Sequence, residues 1–125
     1  MPDIDFTDRE LDIMAIVWEL GSATVREVKD RLEPDLAYTT VLTLIRNLEA
    51  KGYLRHEREG RAHRYFPLVD QEEAGASALR RLIAKVFSGS PAALLTQLVS
   101  DHHLSPQEIS RIRRLLDERR EEDER

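Results

Sequence analysis

The chain has 125 residues, 41% of them hydrophobic and 34% charged, with a formal net charge of −5; this is enough for one domain or two small ones. It holds no cysteine, which excludes disulfides, thiolate metal sites and cysteine nucleophiles. No apolar run approaches the ~20 residues of a membrane span. The opening "MPDIDFTDRE" lacks the basic and apolar regions of a signal peptide, so a cytoplasmic protein without membrane insertion is expected.

The first helix starts at "TDRE", Thr7–Glu10, a capping box in which Thr7 caps and Glu10 reaches back. Leu11, Met14, Ala15 and Trp18 follow at helical spacing, and Gly21 is the stop. A second capping box, "TVRE" at Thr24–Glu27, opens a helix whose stripe is Val25, Val28 and Leu32 and which Pro34 ends. The third helix is predicted from about Ala37 to Lys51. Val41, Leu44, Ile45 and Leu48 fill positions i, i+3, i+4 and i+7, and Gly52 is the stop.

"YLRHEREGRAHRYFPLV" reads as a β-hairpin around "EGRA", with a basic tip. Pro67 suggests that the second strand lies at an edge or is ending. Three short helices and a hairpin make a winged helix-turn-helix over residues 1–69.

The remainder, 70–125, reads as three amphipathic helices. Asp70 and Glu73 begin one with the stripe Leu79, Leu82, Ile83, Val86 and Phe87. Ser90–Pro91 begins another, with Leu94, Leu95, Leu98 and Val99. "SPQE" at Ser105–Glu108 begins the last, lined by Ile109, Ile112, Leu115 and Leu116, and "DERREEDER" then reads as a frayed polar tail. About 55 residues bury too little surface to be comfortably stable alone, and paired apolar residues such as Leu94–Leu95 widen each stripe; a homodimer covers them, the alternative being helices that pack back on the N-terminal half as one domain. The expected fold is therefore mainly α with a small β-hairpin: a winged helix-turn-helix followed by a three-helix dimerisation region. The expected homodimer interface is Leu82, Val86, Phe87, Leu94, Leu95, Leu98, Ile109, Ile112 and Leu116.

Charge is unevenly placed. Residues 1–37 hold 4 Lys and Arg against 10 Asp and Glu, whereas residues 38–67 hold 6 against 3. A local basic surface is what phosphate contact requires. With its apolar stripe inward, the third helix turns Thr39, Thr40, Thr43, Arg46 and Asn47 outward. Threonine is a mediocre helix former. Its hydroxyl and methyl, the arginine fork and the asparagine amide are however the groups that meet phosphates and base edges. Tyr38, Thr39, Thr40, Thr43, Arg46, Asn47, Arg61 at the hairpin tip and Arg64 are thus the candidate DNA-binding residues. Arg58 is balanced between DNA contact and pairing with Glu57 or Glu59. Tyr65 is expected in the wing core. Double-stranded DNA and a second copy of the chain are the expected partners, since two recognition units on a symmetric dimer read a palindrome. An adaptor that binds protein instead of DNA is the alternative reading.

"LDIMAIVWELGSATVREV", "YTTVLTLIRNLEAKGYL" and "EGRAHRYFPLV" together resemble the penicillinase repressor family of bacterial winged-helix regulators, and "SGSPAALLTQLVSDHHLSPQEISRIRRLLDE" resembles its dimerisation region. The resemblance implies a homodimer that binds a dyad operator and blocks transcription. It also implies a membrane sensor protease that triggers cleavage in antibiotic-responsive members. The bond cut in those members falls at Gln97–Leu98 here, where neither residue matches the family's Asn-Phe pair. Copper-responsive members use C-terminal cysteines, which this chain lacks. His102–His103 reads as a polar loop, and no nucleophile, metal or phosphate-loop motif occurs. Neither an enzyme activity nor a cofactor is expected.

Overall fold

The computed structural model describes residues 4–125; residues 1–3 of the opening stretch read for a signal peptide lie outside the described residues. Among the described residues the order is α1 (Asp8–Leu20), β1 (Ala23–Thr24), α2 (Val25–Arg31), α3 (Tyr38–Ala50), β2 (Leu54–Glu59), β3 (Ala62–Pro67), α4 (Gln71–Val86), α5 (Pro91–Asp101) and α6 (Pro106–Asp123). Both N-terminal capping boxes form. The Thr7 and Thr24 hydroxyls accept from the amides of Glu10 and Glu27, and each glutamate returns the bond to its cap residue. The same device starts α6 at Ser105, while Ser90 caps α5 and Asp70 accepts from the Glu73 amide at the start of α4.

The chain divides into two compact units that meet at Arg81–Leu82. The boundary expected at 69/70 therefore lies some way into α4. The reason is local packing: Ala74 and Ser77 of α4 are buried, the Ile4 amide donates to Ser77 Oγ at 3.2 Å, and Arg81 pairs with Asp5 at 3.0 Å.

In the first unit, Ile13, Met14 and Val17 of α1 and Val41, Ile45 and Leu48 of α3 are fully buried, with Val28 of α2 and Leu54 of β2. The α1 stripe differs from the one expected. Leu11 is 45% exposed, and Ile13 and Val17 take the core instead. Residues Ile13–Trp18 are apolar around the whole helix, so spacing alone cannot choose the face. Trp18 then ties the hairpin's exit to α1, its indole N–H donating to the Val69 carbonyl at 2.9 Å.

The sheet has three strands in the order β1-β3-β2. Ala23 pairs with Tyr65 and Thr24 with Arg64, so β3 is the central strand rather than an edge. Pro67 closes β3 at its last residue, where the missing N–H is harmless. The two-residue β1 carries no periodic signal, which is why the sheet read as a plain hairpin.

The second unit, Leu82–Arg125, buries no residue of α5 or α6. Of the expected interface residues, Leu82, Val86, Leu98, Ile109 and Leu116 are exposed, Val86 to 64%, and Phe87, Leu94, Leu95 and Ile112 are half-buried. The polar tail is ordered helix to Asp123 rather than frayed, with Arg119–Asp123 and Arg120–Glu124 pairs along it. Among the described residues no single helix is long and apolar enough to cross a membrane.

Candidate nucleic-acid interface

The buried stripe of α3 fixes the opposite face by geometry. With Val41, Ile45 and Leu48 in the core, Tyr38, Thr39, Thr40, Thr43, Arg46 and Asn47 are all exposed. The Thr43 hydroxyl donates to the Thr39 carbonyl at 2.9 Å. This back-bond to the preceding turn is how a helix tolerates threonine, and it leaves the hydroxyl oxygen free to accept. Ala37 at the N-cap makes no side-chain cap bond, so the first amides of α3 lack the side-chain partner that every other helix start among the described residues has. Arg26 of α2 holds its guanidinium 5.7 Å from the centre of the Tyr38 ring and is itself exposed, which brings a further cation to the start of α3. It sits on the polar side of the Val25–Val28–Leu32 stripe, the one signal that could have singled it out.

In the hairpin Glu59 pairs with Ala62, leaving Gly60 and Arg61 as a two-residue loop. Gly60 has φ +61°, a left-handed conformation that such tight loops demand and glycine adopts freely. Arg61 therefore stands at the tip. On the strand face that carries buried Tyr65, the His56 and His63 rings stack at 4.3 Å, and His56 Nδ1 meets the Glu49 carboxylate of α3. Burial, with the negative Glu49 nearby, pushes the Tyr65 hydroxyl above its usual range; the ring is wing core, as expected.

The cations of residues 38–67 fall into two sets. Lys51 donates to Glu10 at 2.7 Å, and Arg55 pairs with Glu57 at 2.9 Å while lying 4.4 Å over the Phe66 ring. Arg64, expected at the DNA, is instead held by carboxylates. Its Nε and Nη2 each reach Glu59 at 3.1 Å, and Nη1 reaches Glu27 at 3.0 Å and Ser22 Oγ at 3.3 Å. The Thr24–Arg64 register puts this guanidinium beside the third residue of α2. The Thr24 amide, opposed by burial and helped by Arg64, holds the Glu27 carboxyl below its usual range. Among the described residues Arg46, Arg58 and Arg61 make no ion pair. Along β2 the side chains alternate, so Glu57 and Glu59 point to the face of Arg64 and Arg58 to the other, where it stands opposite His63.

A three-helix unit that turns a threonine, arginine and asparagine face outward, beside a hairpin with unpaired arginines, matches known proteins. The penicillinase repressor family model matches residues 6–118. The transcriptional regulator BlaI of Mycobacterium tuberculosis is 35% identical over 115 residues, which span 89% of this chain and 82% of that protein. The penicillinase repressor of Bacillus licheniformis is 25% identical over 114 residues, 90% of this chain and 89% of its own. The solved structure of Bacillus licheniformis BlaI, in its monomeric form in complex with the blaP half-operator, aligns with a TM-score of 0.50 at 30% identity, over 58% of this chain and 90% of that one. The chain belongs to the penicillinase repressor family.

Proposed function

We propose that the chain is a transcriptional repressor that, as a homodimer, binds a palindromic operator through the outer face of α3 and the hairpin wing. The observation that carries this reading is the sorting of cations. Arg46, Arg58 and Arg61 lie on the α3–wing surface with no carboxylate partner among the described residues, whereas Lys51, Arg55 and Arg64 are neutralised internally. Unpaired cations next to short polar side chains suit a polyanion with hydrogen-bonding edges. The Bacillus licheniformis relative, solved in complex with a half-operator, supports DNA as the ligand. Within this reading α3 supplies base contacts from Thr40, Thr43, Arg46 and Asn47. Tyr38, Thr39, Arg58 and Arg61 supply contacts to the phosphates.

The partner we assign to the second unit is another copy of the chain. Its helices expose Val86, Leu98, Val99, Ile109, Leu115 and Leu116 and bury nothing. That much clustered apolar surface marks an interface, and a dyad operator requires two copies. Cleavage triggered by a membrane sensor protease, at Gln97–Leu98, would have to open α5 first, because both residues lie within that helix.

The test is fluorescence anisotropy of the purified protein against DNA from upstream of its own gene, and a random duplex, at two salt concentrations. Arg46→Ala and Arg61→Ala should each weaken binding and lower the salt slope by about one released ion. Unchanged slopes in both variants, with the fold intact, would return the adaptor reading.

A further inference from the structure

Among the described residues Arg64 is the one wing arginine whose ion pairs reach two other elements. It grips Glu59, the last residue before the tip, with two parallel hydrogen bonds of 3.1 Å, and it holds Glu27 in the first turn of α2 at 3.0 Å. A bidentate fork fixes orientation as well as distance. Glu27 is itself fixed, since its Oε1 also accepts the Thr24 amide at 2.8 Å. The chain of contacts runs from a helix start, through one guanidinium, to the residue that carries the tip. A two-stranded hairpin end has little rigidity of its own, and among the described residues no other ion pair links its tip to the helices.

We infer that Arg64 is a positioning residue: it ties the wing tip to the start of α2 so that Arg61 meets the DNA at a fixed place, and it does not contact the DNA itself. This rests on the DNA-binding reading above. The tether has a second effect of the same sign, because it neutralises two carboxylates that would otherwise repel phosphates.

The charges make the test sharp. Replacing a glutamate next to a DNA surface by glutamine ordinarily strengthens binding, by removing repulsion. Positioning by Arg64 requires the reverse. Glu59→Gln and Arg64→Met should each weaken operator binding about fivefold, the scale of coupling between residues in direct contact. In an Arg61→Ala background the Glu59→Gln effect should largely disappear, while Arg64→Met should keep only the part that comes from two carboxylates left without their cation. Arg64→Lys keeps the charge but loses the fork, so it should restore affinity only in part. A first measurement needs no DNA: backbone order parameters at Gly60 and Arg61, which should fall in Glu59→Gln and Arg64→Met while residues of α1 keep theirs. Unchanged order at the tip overturns the tether whatever the DNA result. Tighter binding by Glu59→Gln, full rescue by Arg64→Lys, or additive losses in Arg61→Ala/Glu59→Gln overturns it as well. If the parent protein fails to distinguish its operator from a random duplex, the DNA-binding reading fails, and the order parameters still decide the tether.

Discussion

At the scale of single residues, position on α3 separates phosphate contact from base reading. Asn47 is exposed one turn after Thr43 on the face that carries no apolar residue. An asparagine amide pairs in two places with adenine, and such a pair discriminates between bases by about 1–3 kcal/mol. Asn47→Ala should therefore lose discrimination at one base pair of each half-site while keeping its salt slope. Titration against operators with each position changed in turn checks this, and a uniform loss across all of them would make Asn47 a backbone contact. The outward face of α3 was legible in the sequence because four apolar positions at helical spacing leave only one orientation. The state of each arginine was not. Arg64 is closed in part by Glu27, and that contact depends on the two-residue β1, which sets the Thr24–Arg64 register without leaving a pattern of its own.

At the scale of elements, α1 and α3 are joined at their ends by one buried ion. Glu10 is 2% exposed and takes hydrogen bonds from the Thr7 amide at 2.9 Å and from Lys51, just past the end of α3, at 2.7 Å. Burial pushes this carboxyl up, but the hydrogen bond from Lys51, the bond from Thr7 and the Lys51 charge outweigh it and hold the group below its usual range. A depressed carboxyl contributes stability that is present above the ordinary value and is lost as pH falls through the folded one. Lys51→Met leaves the carboxylate buried without its cation and should cost about 2 kcal/mol near neutral pH. The gap to the parent should close in acid, where Glu10 is protonated in both; denaturant melts at the two pH values check this. A gap that stays constant would place the effect in packing of the lysine stem.

The start of α3 is an opportunity of the opposite sign. Ala37 at its N-cap offers no acceptor, and a serine there satisfies an amide and contributes about 1 kcal/mol. Ala37→Ser should raise the melting temperature by a few degrees, which calorimetry reads directly. Capping residues made the other helix starts legible in the sequence. This one showed only through its apolar spacing.

At the scale of the whole molecule, the first unit carries its own core, whereas α5 and α6 bury nothing within the chain. In the dimer we propose, Leu82→Asp or Leu95→Asp should give monomers by sedimentation and weaken operator binding steeply, because two half-site contacts no longer act together. Intact dimers in both variants would remove these positions from the interface. The sequence suggested that 70–125 buries too little surface to be comfortably stable alone and assigned its apolar stripes to a second copy of the chain; within the chain Leu82, Val86, Leu98, Ile109 and Leu116 of those stripes are exposed. It could not place the end of the first unit, since Ser77 looks like a surface residue until Ile4 is found bonded to it. The bare stripes of α5 and α6 also bear on dosage. When a stable unit forms only from two chains, its amount at low abundance varies with the square of the number of chains. Halving the copy number would then cut operator occupancy about fourfold in the dilute limit, so a promoter under this protein would respond to its supply as a threshold and not in proportion.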